Sequence, residues 1–143
     1  MNLIWKFDAK GIDWNQVSNL YKIAPLGEKP PERLEVVFSN SMYKCFIFDG
    51  SNLVGVGRAL ADGFDCSYLC DVAVHPDAQG SGLGKEIINK LVLLSSGHKK
   101  IILYANIGKE GFYRKLGFKS MNTAMAIFED ETFALEVGLV NEI

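Results

Sequence analysis

The sequence predicts a single mixed α+β domain, and three observations carry that expectation. Apolar residues recur at helical spacing before residue 40 (Val17, Leu20, Tyr21, Ala24, then Leu34, Val37, Phe38), and from Tyr43 the period becomes that of strands. Between Tyr68 and Ala105 the order is strand, glycine turn, helix, strand, which is a βαβ unit. The chain has 143 residues, 48% of them hydrophobic and 22% charged, enough for one buried core and too short for two domains. Residues 1–143 are therefore expected to form one domain.

Leu3 to Phe7 alternates weakly as a first strand. Asp13 with Gln16 three residues on has the form of a capping box and opens an amphipathic helix that Pro25 and Gly27 end. Pro30-Pro31 suits the start of a second helix ending near Asn40. Tyr43 to Asp49, the turn Gly50-Ser51-Asn52 and Leu53 to Ala61 read as an antiparallel hairpin. Tyr68 to Val74 is an almost unbroken apolar run, expected to be buried on both faces, with Asp71 as its one ionised residue. Leu83, Ile87, Ile88, Leu91 and Leu94 draw a helical stripe that closes near Gly97. A strand over Lys100 to Ala105, a brief helix over Lys109 to Leu116 and a last strand over Thr123 to Phe128 complete the expected sheet. Residues 129–143, acidic and half apolar, suit either a tail helix or a dimer contact.

Composition excludes several classes of function. A net charge of -2, with arginine only at Arg33, Arg58 and Arg114, offers no basic stripe, so no nucleic-acid partner is expected. Three cysteines (Cys45, Cys66, Cys70) are an odd number and point to reduced thiols, and neither they nor His75 and His98 have the spacing of a metal site, so no metal is expected. The first residues lack the pattern of a leader and no apolar stretch approaches the ~18 residues that cross a bilayer, so a cytoplasmic protein without a membrane partner is expected.

Gln79-Gly80-Ser81-Gly82-Leu83-Gly84-Lys85 lies between a strand and the first turn of a helix, where backbone N–H groups lack intrahelical acceptors and the helix dipole favours an anion. It is not a Walker A loop, which would need Gly at Gln79 and Ser or Thr at Glu86. Nor is it a Rossmann fingerprint, which would need Gly at Lys85.

Gln79-x-x-Gly82-x-Gly84, preceded by Val74-His75-Pro76, resembles the Q/R-x-x-G-x-G/A signature of the GNAT superfamily of acyl-CoA-dependent N-acetyltransferases. Phe112-Tyr113-Arg114-Lys115-Leu116-Gly117-Phe118 is similar to a second segment of that family, and Asn106 stands where many members carry an Asn. The two motifs in this order span Tyr68 to Phe118, and the chain looks most similar to small bacterial members acting on amines. The resemblance implies a twisted, mostly antiparallel sheet with a central βαβ unit and flanking helices. It also implies acetyl-CoA as cofactor, its pyrophosphate on Gln79, Gly80, Ser81, Gly82, Leu83, Gly84 and Lys85. Its pantetheine would follow the backbone of Val72, Ala73 and Val74 and pass Asn106 and Tyr113, with Tyr113 as the proton donor to the departing thiolate. Lys109, Gly108 and Gly111 depart from the family pattern around the short helix.

The acceptor side carries less signal. Asp71 in an apolar strand needs a partner. Either it attracts or deprotonates the substrate amine, or it is tied to backbone amides or a surface lysine. In this family the loop between the first two helices walls the acceptor pocket, which brings in Tyr21 and Leu26, and Val72-Ala73-Val74-His75-Pro76 looks similar to arylalkylamine acetyltransferases. Cys70 as an acyl-enzyme nucleophile lacks an activating histidine, and His75 reads as a turn residue. The expectation is direct acetyl transfer to the primary amine of a small molecule. The rivals are a peptide or protein N-acetyltransferase and a CoA-binding sensor without activity. Edge strands and the apolar tail are compatible with a homodimer.

Overall fold

The computed structural model describes residues 2–143. They form two compact units, one ending at Leu103 and the other spanning Tyr104–Ile143.

The first unit is a five-stranded sheet in the order β1-β2-β3-β4-β5: β1 (Leu3–Lys6), β2 (Tyr43–Asp49), β3 (Asn52–Ala61), β4 (Cys66–Val74) and β5 (Lys100–Ile102). Neighbours from β1 to β4 pair antiparallel, whereas β4 and β5 pair parallel. The parallel pair follows from the crossover through helix α3 (Leu83–Leu94). Mixed α+β architecture with a mostly antiparallel sheet and a central βαβ unit is thus the fold that the sequence predicts.

Helices α1 (Trp14–Ile23) and α2 (Pro31–Ser39) precede the hairpin. Asp13 caps α1 by accepting from the Asn15 amide, but the expected reciprocal capping box is replaced: the Gln16 side chain donates instead to the Ser51 carbonyl at 3.0 Å. Pro31 occupies the first turn of α2, where its missing N–H costs nothing. Their apolar faces meet β2, β3 and β4 in a core of Val17, Leu20, Tyr21, Leu34, Phe38, Phe46, Leu53, Val56 and Ala73. Trp14, Phe38 and Phe46 pack ring against ring at 5.2–6.0 Å between centroids. Fully burying one such side chain contributes about 1.5–3 kcal/mol.

Helix α3 packs against the strands through Leu83, Ile87 and Leu91, and two glycines of β3 admit it. A Cβ on Gly55 would lie 3.0 Å from Ile87 and 3.1 Å from Leu83. One on Gly57 would lie 2.8 Å from Ile87 and 3.2 Å from both Leu91 and Val72. His98 ties the end of this crossover to the turn before β4: its Nε2 accepts from the Gly63 amide at 3.0 Å while Nδ1 faces the Ser95 carbonyl at 2.8 Å.

The second unit contains α4 (Glu110–Lys115) and α5 (Glu131–Glu136), so a tail helix forms within residues 129–143. The strand expected over Thr123–Phe128 is absent. Met125 and Ile127, which alternation would put on one face, are 96% and 103% exposed, so the β propensity of this segment meets no surface to pack on. The strand expected to run to Ala105 also ends early, at Ile102. Among the described residues no helix is long and apolar enough to cross a membrane.

Candidate active site

The site begins with an irregularity in β4. Val56 pairs with Ala73 and Arg58 with Cys70, so the single residue Gly57 faces both Asp71 and Val72. This is a β-bulge, and it places Asp71 in the left-handed region at φ 56°, a conformation that costs a residue with a side chain about 1–3 kcal/mol. Two side chains hold it there through three contacts. The Tyr21 hydroxyl donates to the Asp71 carbonyl at 2.6 Å, Arg58 Nε donates to Oδ2 at 2.9 Å, and Arg58 Nη2 lies 2.9 Å from the same oxygen. Arg58 is itself fixed by Nη1 donating to Ser41 Oγ at 3.1 Å, whose hydroxyl donates to the Val37 carbonyl at 2.7 Å. On the other carboxylate oxygen, Lys29 Nζ stands 3.6 Å from Oδ1 and 5.5 Å from the centroid of the Tyr21 ring.

Asp71 is therefore neither isolated nor bonded to backbone amides; one arginine engages Oδ2, and a lysine lies beyond hydrogen-bonding range of Oδ1. Burial first, and the Asp71 carboxylate second, push the Tyr21 phenol well above its usual value, so it stays a donor. Burial pushes the Cys70 thiol up to about 11, which leaves it a neutral and poor nucleophile near pH 7. Leu26, 36% exposed, follows α1 with its amide donating to the Tyr21 carbonyl at 2.7 Å.

The other side of β4 is open because β5 is short. Parallel pairing of β4 with β5 covers only Cys66–Tyr68 against Lys100–Ile102, so β4 runs six residues past its last β5 partner. Val72, Ala73 and Val74 lie on this stretch, which faces β3 on one side and has no β5 partner on the other. Beyond it the His75 ring accepts from the Asp77 amide at 3.1 Å and caps a short 3-10 turn, Pro76–Ala78, which confirms His75 as a turn residue.

The chain then enters the glycine turn. The Gln79 side chain donates back to the Val74 carbonyl at 3.2 Å, and the Ser81 hydroxyl donates to the Ala78 carbonyl. Gly80 and Gly82 have φ of +84° and +87°, and a Cβ built on either meets nothing within 4 Å. Among the described residues, the amides of Gly80, Gly82, Leu83, Gly84 and Lys85 find no backbone acceptor. Five such donors beside left-handed residues at the start of a twelve-residue helix, with no side chain at the glycines, are the kind of donor set that would hold an anion. These features fit the pyrophosphate of a CoA thioester.

In the second unit, Tyr113 lies on α4 and Asn106 is exposed ahead of it, its carbonyl accepting from the Lys109 amide at 3.0 Å. The Leu116-Gly117-Phe118 end of the motif has a local cause. Gly117 takes the left-handed position at φ +98°, and the Phe118 amide donates to the Tyr113 carbonyl at 3.1 Å, closing a Schellman turn. Phe118 and Phe112 then meet the Tyr113 ring edge to face, at 6.0 and 5.1 Å. Partial burial raises the Tyr113 phenol above its usual value, which keeps it protonated.

Sequence reasoning missed Arg58 and Ser41, and offered a surface lysine as a partner of Asp71 without identifying it as Lys29. The signal for Arg58 was present, since an arginine within an apolar strand has the same need of a partner as Asp71 on the next strand.

Comparison with known proteins identifies the family. The acetyltransferase (GNAT) family matches residues 14–118. An uncharacterised N-acetyltransferase, ycf52, of the alga Pyropia yezoensis is 34% identical over 116 residues, covering 73% of this chain and 67% of that protein. The chloroplastic serotonin N-acetyltransferase 2 of Oryza sativa subsp. japonica is 32% identical over 116 residues, 77% of this chain and 58% of that protein. The chain thus spans about two thirds or less of the length of these two relatives. A GNAT-family acetyltransferase of Streptococcus pneumoniae superposes with a TM-score of 0.77 at 25% identity, over 91% of this chain and all of that one. The chain belongs to the acetyltransferase (GNAT) family and is an acyltransferase of the N-acetyltransferase class.

Proposed function

We propose that the chain transfers an acetyl group from acetyl-CoA to the primary amine of a small molecule by direct attack within a ternary complex. The observation that carries the donor half is the set of five amides without acceptors between Gly80 and Lys85, beside an unpaired strand edge. Acetyl-CoA, when bound, supplies an activated acetyl thioester. The glycine-turn amides and the α3 dipole hold its pyrophosphate. Backbone groups from Val72 to Val74 orient the pantetheine and polarise the carbonyl. Asp71 and Tyr21 attract and orient the acceptor's ammonium, the loop at Leu26 contacts its apolar body, and the ammonium passes one proton to Asp71 or water so that the neutral amine attacks. By the family resemblance Tyr113 holds a proton at its hydroxyl for the departing sulfur; burial keeps that proton in place at neutral pH while making the phenol a weaker acid.

The small-molecule acceptor is supported by the serotonin N-acetyltransferase relative, whose match covers 77% of this chain. A panel of arylalkylamines, aliphatic diamines and amino-terminal peptides, with acetyl-CoA and a thiol reagent, tests the reading. Turnover on an amine and not on peptides is the expected result. Turnover on peptides alone would move the assignment to protein acetylation, and none at all would leave a CoA-binding module.

A further inference from the structure

The two cations around Asp71 are held very differently. Arg58 is braced on both sides and donates to Oδ2 at 2.9 Å, with its side chain 13% exposed. Lys29 is 30% exposed and stands 3.6 Å from Oδ1, too far for a hydrogen bond. Its backbone is anchored, because the Ser18 hydroxyl donates to the Lys29 carbonyl at 2.6 Å, while its ammonium hangs over the Tyr21 ring at 5.5 Å. A carboxylate oxygen beside the face of an aromatic ring is a receptor for an organic ammonium ion, through Coulomb attraction and the ring quadrupole together.

We propose that Asp71 Oδ1 and the Tyr21 face that Lys29 covers, buried while the lysine is in place, are the ammonium subsite of the acceptor, and that Lys29 is an internal substitute which the acceptor displaces. This rests on the reading of an amine acceptor given above. The exchange conserves charge: with Arg58 committed to Oδ2, the carboxylate accommodates one further cation, either Lys29 or the substrate. An acceptor with a neutral body fits this exchange. One bearing an acidic group would instead retain Lys29 as its partner, so the sign of the Lys29 effect reports the substrate class. Occupancy by Lys29 also lowers the apparent affinity for the acceptor by the fraction of chains in which the subsite is already filled.

The test uses the full chain and 2-phenylethylamine as probe, with binding followed by calorimetry and by the NMR signals of 13C-labelled lysine, without acetyl-CoA. Titration is expected to shift the Lys29 side-chain signal. K29M is expected to tighten binding about tenfold, equivalent to ~1.4 kcal/mol, K29R to keep wild-type affinity, and D71N to abolish both the binding and the gain from K29M. Lys29 is surface-placed, so unchanged melting of K29M checks that the fold is intact. Unchanged or weaker binding in K29M overturns the proposal, as does a Lys29 signal that the amine does not move. Acetyl transfer is measured separately: its absence, with binding as expected, refutes the enzymatic reading and leaves the subsite standing.

Discussion

Replacing Tyr21 by Phe removes one oxygen atom from a fully buried side chain and leaves the rest of its packing in place. That oxygen donates to the carbonyl of Asp71 at 2.6 Å, the residue held at φ 56° where β4 bulges opposite Gly57. The substitution leaves a partly buried carbonyl without its donor, which costs about 1–3 kcal/mol, and the strained bulge of similar cost loses one of its restraints. For a chain of this length each kcal/mol corresponds to a fall in Tm of about 2–4 °C. The pH dependence adds a second signature. Folding raises the Tyr21 value above that of the unfolded chain, near 10. The stabilisation contributed by the bound proton is therefore complete below about pH 10 and is lost as pH rises through the folded value. Urea unfolding of wild type and Tyr21→Phe at pH 7.5 and 10.5 measures both effects. The variant should be less stable at pH 7.5, and the gap should narrow at pH 10.5. A difference below about 0.5 kcal/mol at pH 7.5, within the range of an ordinary surface change, would refute the claim that Tyr21 braces the bulge.

Gly57→Ala puts a methyl group 2.8 Å from Ile87 and 3.2 Å from Leu91 and Val72, so α3 or the bulge must shift, and urea unfolding should show a loss of about 1–3 kcal/mol. Cys45 is fully buried and its thiol is pushed up to about 12, so mass spectrometry after iodoacetamide treatment at pH 8 should find it modified only when the chain is first unfolded, and Cys66 modified in the folded state. Tyr113→Phe should lower kcat about 10²-fold or more, the scale of general acid catalysis, with acetyl-CoA affinity within about twofold of wild type; equal loss of both would make Tyr113 a packing residue of α4.

The elements whose signal is local were readable from the sequence. β2 falls on the predicted Tyr43–Asp49, α2 starts at Pro31, and Asp13 caps α1, because strand alternation, a fixed proline φ and a short acceptor side chain act within a few residues. The glycine turn was readable for the same reason, since left-handed φ at Gly80 and Gly82 is a property of those residues. What failed depends on distant partners. Gln16 abandons the capping box for Ser51, 35 residues on. Residues 123–128 alternate correctly, but alternation states which side chains share a face and not whether a neighbouring strand exists. The bulge leaves no local signal, because the run from Tyr68 to Val74 is apolar at almost every position and an extra residue makes no break in its pattern; only resemblance to the family, in which a bulge is common on this strand, points to it. With the bulge went the Arg58–Asp71 pair and the position of Lys29.

The cradle between Gly80 and Lys85 supports the assignment of donor, and calorimetric titration of acetyl-CoA into the folded chain probes it most directly. Wild type should bind in the micromolar range, ~8 kcal/mol. Gly82→Val, which forces a branched side chain into left-handed backbone at the mouth of the cradle, should weaken binding about tenfold or more while the sheet keeps its circular dichroism. Undiminished affinity in a folded Gly82→Val protein, or no heat with wild type at millimolar acetyl-CoA, would contradict the account.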